Sequence, residues 1–270
     1  MYLKGATLEG AKYGGITPLD FDGLKLWMKS SVGVTFSRGN AVASWQDISP
    51  NHINFTPVGA TGIPQTSAGL LVQSSYGLGY TSPGTGSNLL RADNIPHFNF
   101  LLDGSPHTMM VVFQAATTFQ ASFFGSIPLN PPTGSVATLG IGTSVTSRHI
   151  QAVSGTSVNL YTLDVATANT PVISGSSYVY EEVNYGFGSG QNPIVFNAFN
   201  QVAATSRAAY TNPPTAGAGY TNPFCISQPG GKNIYEIIMY DHTGKTKAQI
   251  DLERQRLVDE YVKQNYPNIY

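Results

Sequence analysis

"NIYEIIMYDHTGKTKAQIDLERQRLVDEYVKQNY", residues 233–266, is where the chain changes period, and that change decides the fold class. Its first ten residues are mostly apolar and read as a buried strand, with Tyr235, Ile237 and Met239 on one face. From Thr246 onward the apolar residues fall at helical spacing instead: Ile250, Leu257, Val258, Tyr261 and Val262, with charged residues between them. Thr246 and Gln249 match a capping box, in which each side chain satisfies a backbone N–H of the first turn. Asp259 and Lys263, four apart, add an ion pair worth about 0.3 kcal/mol. The reading is a buried strand followed by one amphipathic helix, 246–265.

Upstream, the chain reads as strand, turn, strand. "LKLWMK" (24–29) sets Leu24, Leu26 and Met28 against Lys25, Trp27 and Lys29, a half-buried period of two. "HTMMVVFQ" (107–114) is almost wholly apolar, as a central strand should be. "ASFFGSI", "VATLGIG", "RHIQAV", "VNLYTL" and "YVYEEVNYGF" follow, broken by Gly, Ser, Pro or Asn, and a hairpin is expected around Asn200. Glycine (29) and proline (17) beside 15 tyrosines and 13 phenylalanines suit many short strands joined by tight turns. An all-β domain of two packed antiparallel sheets, 22–270, closed by the C-terminal helix, accounts for the pattern.

Charge narrows the function. Only 11% of the 270 residues are charged and the formal net charge is −1, so there is no basic surface for a phosphate backbone and nucleic acid is not an expected partner. Cys225 is the single cysteine, which rules out an intramolecular disulfide and a cysteine-based zinc site. The start shows no apolar signal core, and no apolar run is long enough to span a bilayer, so the expectation is synthesis in a reducing cytosol with no membrane partner.

"SWQDISPNHINF" (44–55) poses a choice between a site and a turn. Trp45 is expected to face between the sheets, and Asp47 to end its strand by accepting backbone N–H bonds two residues on. Asn51 is the residue suited to a left-handed backbone, and His52 is left at the surface. A calcium site from Asp47, Asn51 and Asn54 is the rival, but with one carboxylate among three ligands it is poorly charged for a hard cation. The turn is the better reading.

Residues 1–21 carry glycines at 5, 10, 14 and 15 and read as an extended arm. Such a segment has little to bury by itself, so Tyr2, Leu3, Leu8, Tyr13 and Ile16 are the candidate contacts to a partner. "YTNP" occurs twice, at 210–213 and 220–223, in a turn-rich loop that displays Tyr210 and Tyr220 as candidate glycan contacts.

With these pieces in order, the chain resembles the concanavalin A-like lectin/glucanase (laminin-G-like) domains of bacterial surface proteins and bacteriophage virion proteins. "GLKLWMKSS" is similar to that family's opening strand. "GNAVASWQDISPN" is similar to its Trp-x-Asp-x-Ser-Gly-Asn turn, with Pro50 where the family usually has glycine. The 233–266 stretch looks like its last strand, Glu-Ile-x-x-Tyr-Asp, and a helix ending in Tyr-x-x-x-x-Tyr. The resemblance implies a jelly-roll sandwich over residues 22–266 and a virion setting assembled in the host cytoplasm, with neighbouring capsid or fibre subunits as partners and homo-oligomers allowed.

Enzymes on that fold place Glu-x-Asp-x-x-Glu on one strand, and no such run exists here. Glu181 and Glu182 are adjacent and so point to opposite faces, while Glu236 and Asp241 are five apart; all four are expected to be solvated or turn-forming. The histidines at 52, 97, 107, 149 and 242 show no paired metal spacing. No catalytic residue, cofactor or metal is expected. The sequence therefore reads as a non-enzymatic structural protein of a virion, attached through its arm. The alternatives are a carbohydrate-binding module for host surface glycan and a glycan-cleaving enzyme.

Overall fold

The computed structural model describes residues 15–59, 63–74, 77–81, 89–93, 95–101, 105–114, 122–126, 138–143, 150–156, 159–164, 177–186, 194–199, 202–207, 224–226 and 233–269. Its strands are β1 (Leu24–Lys29), β2 (Val34–Arg38), β3 (Ala41–Gln46), β4 (Asn54–Val58), β5 (Leu70–Ser74), β6 (Gly77–Thr81), β7 (Leu89–Ala92), β8 (His107–Gln114) and β9 (Ser122–Ser126). They continue as β10 (Thr138–Thr143), β11 (Ile150–Thr156), β12 (Asn159–Asp164), β13 (Ser177–Asn184), β14 (Ile194–Phe199), β15 (Val202–Arg207), β16 (Phe224–Ile226) and β17 (Asn233–Asp241).

These strands build two antiparallel sheets. The first runs β2–β3–β5–β6–β17–β8–β13–β14–β15, and β1 takes over the edge of β17 where β6 ends. The second runs β4–β7–β16–β9–β10–β11–β12. They are joined at the β3–β4 corner, where Trp45 pairs with Phe55. The fold class is the one expected, a mostly β antiparallel sandwich with a C-terminal helix.

Two apolar layers follow. The one between the sheets holds Leu26, Met28, Trp45, Phe55, Tyr80, Phe113, Tyr178, Phe224, Ile237 and Met239. Trp45 is fully buried there, its ring against Tyr80 at 5.4 Å, as its strand position predicts. The other layer lies on the outside of the first sheet, under the helix, and contains Leu24, Trp27, Val112, Ile238, Tyr240, Leu257 and Tyr261.

This outer layer corrects two expectations. β1 is not half-buried: a register shift between Leu24 and Leu26 turns Leu24 to the helix side, where Trp27 is also buried. β17 likewise carries a bulge between Ile234 and Glu236, so Tyr235 leaves the face of Ile237 and Met239 and joins the helix-side layer. A strict period of two cannot foresee a bulge.

The helix is α-helical over Lys247–Leu257, makes a π turn over Val258–Val262 and ends at Asn265. Its start is the capping box foreseen, with both Thr246 and Gln249 bonds made. Ahead of β1, Pro18–Asp20 form a 3₁₀ turn with its own capping box from Thr17. Pro18 is buried, its carbonyl accepts the Tyr240 hydroxyl at 2.9 Å, and Ile16 packs against the helix-side layer. Gly23 follows at φ +87°, where a Cβ would lie 2.1 Å from the carbonyl oxygen of Asp241; only glycine lets β1 approach β17 here.

Candidate functional site

Three of the four carboxylates weighed for catalysis are buried and not solvated. Glu236 sits under the helix by regular alternation from Ile237, which faces between the sheets. It accepts hydrogen bonds from the Trp27 indole N–H at 2.5 Å, the Tyr261 hydroxyl at 2.5 Å and the Tyr266 hydroxyl at 2.6 Å. Three donors replace the water this anion loses. Burial, and then the neighbouring Glu236 charge, push both phenols well above their ordinary value, so they stay donors. Residues five apart on an ideal helix stand about 140° apart around the axis. The π turn and the non-helical backbone of Tyr266 (φ −132°, ψ 51°) let Tyr261 and Tyr266 reach one carboxylate.

Glu181, also on the helix side of the sheet, receives the Arg254 N–H at 2.6 Å. Burial raises its pKa and the Arg254 charge opposes that rise. Glu182 points to the opposite face, as adjacency required, and is buried too. Only Asp241 is the expected turn residue: burial alone would raise its pKa, but bonds from Thr243 and the Lys25 charge hold it below the ordinary carboxylate value. These acids brace the helix and strand ends. None forms a pair open to a glycosidic bond.

The 44–55 stretch is structural as well. Asp47 Oδ1 accepts from Ser49 N at 2.8 Å, the expected turn, and from Trp27 N at 2.7 Å, which ties the β3–β4 corner to β1. The left-handed residue is His52 (φ 49°) and not Asn51. Asn51 keeps its amide on the carbonyl of Lys25 at 3.1 Å, so the chain reversal falls one residue later. Asn54 is exposed and Asp47 buried, so the calcium alternative has no convergent ligands; no cluster of three His, Cys, Asp or Glu that could hold a metal exists among the described residues.

A narrow pocket lies on the helix–sheet seam, lined by Phe21, Thr108, Glu181, His242, Arg254 and Leu257 among others. His242 stacks on Tyr240 at 5.8 Å and shares a 2.9 Å hydrogen bond with Thr108 Oγ1. Burial lowers its pKa to about 3, so the ring is neutral.

Beyond the reach of the helix, the outer face of β5 and β6 remains open. Leu70 (44% exposed) and Val72 (37%) stand on it, while Leu71 between them is buried. Pairing places Thr81 beside Leu70 and Gly79 beside Val72, on that same face. A Cβ on Gly79 would come within 2.8 Å of Asn233 Cβ and 3.0 Å of Tyr235 Cε1, so the Tyr235 ring lies across the glycine. Next to it runs a row of amides and hydroxyls. Thr81 Oγ1 donates to Asn233 Oδ1, Asn233 Nδ2 donates to Gln114 Oε1 at 2.9 Å, and Ser74 Oγ meets the Tyr235 hydroxyl at 2.8 Å.

No protein-family model and no curated protein sequence matches the chain. Solved structures do. The binding domain of Paraclostridial Mosquitocidal Protein 1 aligns with TM-score 0.56 and 8% identity, covering 90% of this chain and 54% of that one. Domain 4 of AbnA, a GH43 extracellular arabinanase from Geobacillus stearothermophilus, solved with arabinotriose, aligns with TM-score 0.53 and 14% identity over 81% of this chain and 92% of its own. Botulinum neurotoxin type C, which depends on interaction with two ganglioside molecules to enter cells, aligns with TM-score 0.50 and 9% identity over 87% and 51%. The likeness is one of fold. This chain spans about half the length of the two toxin chains.

Of the candidate contacts read from the sequence, Tyr2, Leu3, Leu8, Tyr13, Tyr210 and Tyr220 lie outside the described residues, and Ile16 packs within the chain as given above. The seam pocket and the β5–β6 face were not foreseen. Thr108 reads as one residue in an apolar run, and Leu70 and Val72 lie in a stretch to which the sequence pattern assigns no element. A signal for the open face did exist: from Asp47 to Arg91 the chain has no Asp, Glu, Lys or Arg between them.

Proposed function

We propose that this chain is a non-catalytic glycan-binding module. The observation that carries the reading is the whole-domain correspondence with AbnA domain 4, a sandwich matched over 92% of its length and solved holding arabinotriose. The ganglioside dependence of the botulinum neurotoxin type C match supports it from a second direction. The commitment of Glu181 and Glu236 to Arg254, Trp27, Tyr261 and Tyr266 supports the non-catalytic part, since a general acid must reach its substrate.

A virion subunit docked through its N-terminal arm is the other reading; it rests on the sequence resemblance. Screening the purified protein on a glycan array, alongside a reducing-sugar release assay on the glycans it retains, tests the proposal. Saturable binding without turnover is expected. Turnover abolished by Glu181→Gln or Glu236→Gln would make the chain an enzyme, and absence of binding to any glycan would return the virion reading to first place.

A further inference from the structure

From the open β5–β6 face we infer that the chain holds a glycan there, and that this glycan is uncharged. The inference rests on the glycan-binding reading and adds the place and the ligand chemistry. A saccharide offers hydroxyls around its rim and aliphatic C–H groups on its ring faces, so a surface that recognises it pairs hydrogen-bonding groups with apolar ones. The β5–β6 face has this composition. Leu70 and Val72 supply exposed aliphatic surface, and the Tyr235 ring lies across Gly79 next to them.

Thr81, Asn233 and Gln114 then follow as a hydrogen-bonding row held in position by their own mutual bonds, and Ser74 is held by the Tyr235 hydroxyl. An asparagine amide offers two donors and two acceptor positions. Asn233 uses one of each within the row, leaving one of each for a ligand hydroxyl. Preset side chains lose little rotamer freedom on binding, and this is what a weakly held sugar requires.

The absence of formal charge on β5 and β6 points to the class of glycan. An anionic sugar leaving water for this face would meet no cation on these strands, and an unpaired desolvated carboxylate is strongly disfavoured. A neutral pentose or hexose oligomer meets no such penalty.

The test is titration calorimetry of the full chain with arabinotriose, with a neutral hexose trisaccharide and with a sialylated trisaccharide. It is repeated on Val72→Arg and Leu70→Lys, whose changes lie at exposed strand positions, and on Tyr210→Ala/Tyr220→Ala. We expect a neutral trisaccharide to bind, the sialylated one not to, and Val72→Arg to weaken binding at least tenfold at an unchanged melting temperature. If Val72→Arg and Leu70→Lys bind like the parent, or the tyrosine pair alone abolishes binding, the site is elsewhere while the glycan-binding reading stands. Preference for the sialylated trisaccharide would overturn the neutral-ligand assignment. If no glycan on the array binds either, both proposals fall.

Discussion

At the scale of single residues, the buried carboxylate Glu236 explains the most. With three donors aimed at it, Glu236→Ala would strand an indole N–H and two hydroxyls beneath the helix, and should lower stability by about 3–5 kcal/mol in urea denaturation. Tyr266→Phe removes one donor and leaves two, so about 1–2 kcal/mol is expected. Trp45→Ala should cost about 3–5 kcal/mol through the cavity it opens against Tyr80. His242 sets the response to acid. Its folded pKa, about 3, lies below the ordinary value of 6.5, so between those values the unfolded chain binds the extra proton. Its contribution is therefore complete above pH 6.5 and is lost as pH falls toward 3, at about 1.4 kcal/mol per unit. Glu181, whose pKa is raised, acts in the opposite sense, so the comparison must be made within one site. His242→Gln should lose less stability than the parent between pH 7 and 4.5, measured by urea unfolding at both.

At the scale of elements, the helix is an integral wall of the domain. Leu257→Asp should give insoluble or unfolded protein, because Leu257 is buried against the sheet. Arg254→Met leaves Glu181 buried without its partner, a loss of about 3–5 kcal/mol; adding Glu181→Met should recover most of it. The helix and its cap were legible in the sequence because Thr246, Gln249, Ile250 and Leu257 obey a local rule. The bulges at Leu24 and Tyr235 and the π turn at Val258–Val262 were not, because each is set by what the strand or helix must reach across the fold. The burial of Glu181, Glu182 and Glu236 was misread for the same reason. Charge predicts exposure until a distant residue supplies a partner, and Trp27 lies 209 positions from Glu236. The open face of β5 and β6 was visible only as a stretch without charge.

At the scale of the whole molecule, the described end of the N-terminal arm belongs to the domain. Deleting residues 2–14 should leave the melting temperature nearly unchanged. Extending the deletion to residue 20 removes the Pro18 carbonyl and strands the buried Tyr240 hydroxyl, so a further loss of about 1–3 kcal/mol is expected by thermal denaturation. The pairing of β1 with β17, Leu24 against Tyr240, has a consequence for how the protein is made. A ribosome adds about 5–20 residues per second, so the first strand waits roughly 10–40 s for its neighbour to be synthesised. During that wait the Trp27 edge is apolar and uncovered, a surface for chaperones or for misassociation. A product released early, anywhere before Tyr266, lacks at least one donor of the closing clamp. Proteases would meet such fragments open, and a domain synthesised through Tyr266 closed. The last strand and helix of the domain thus close it only in polypeptides translated through Tyr266.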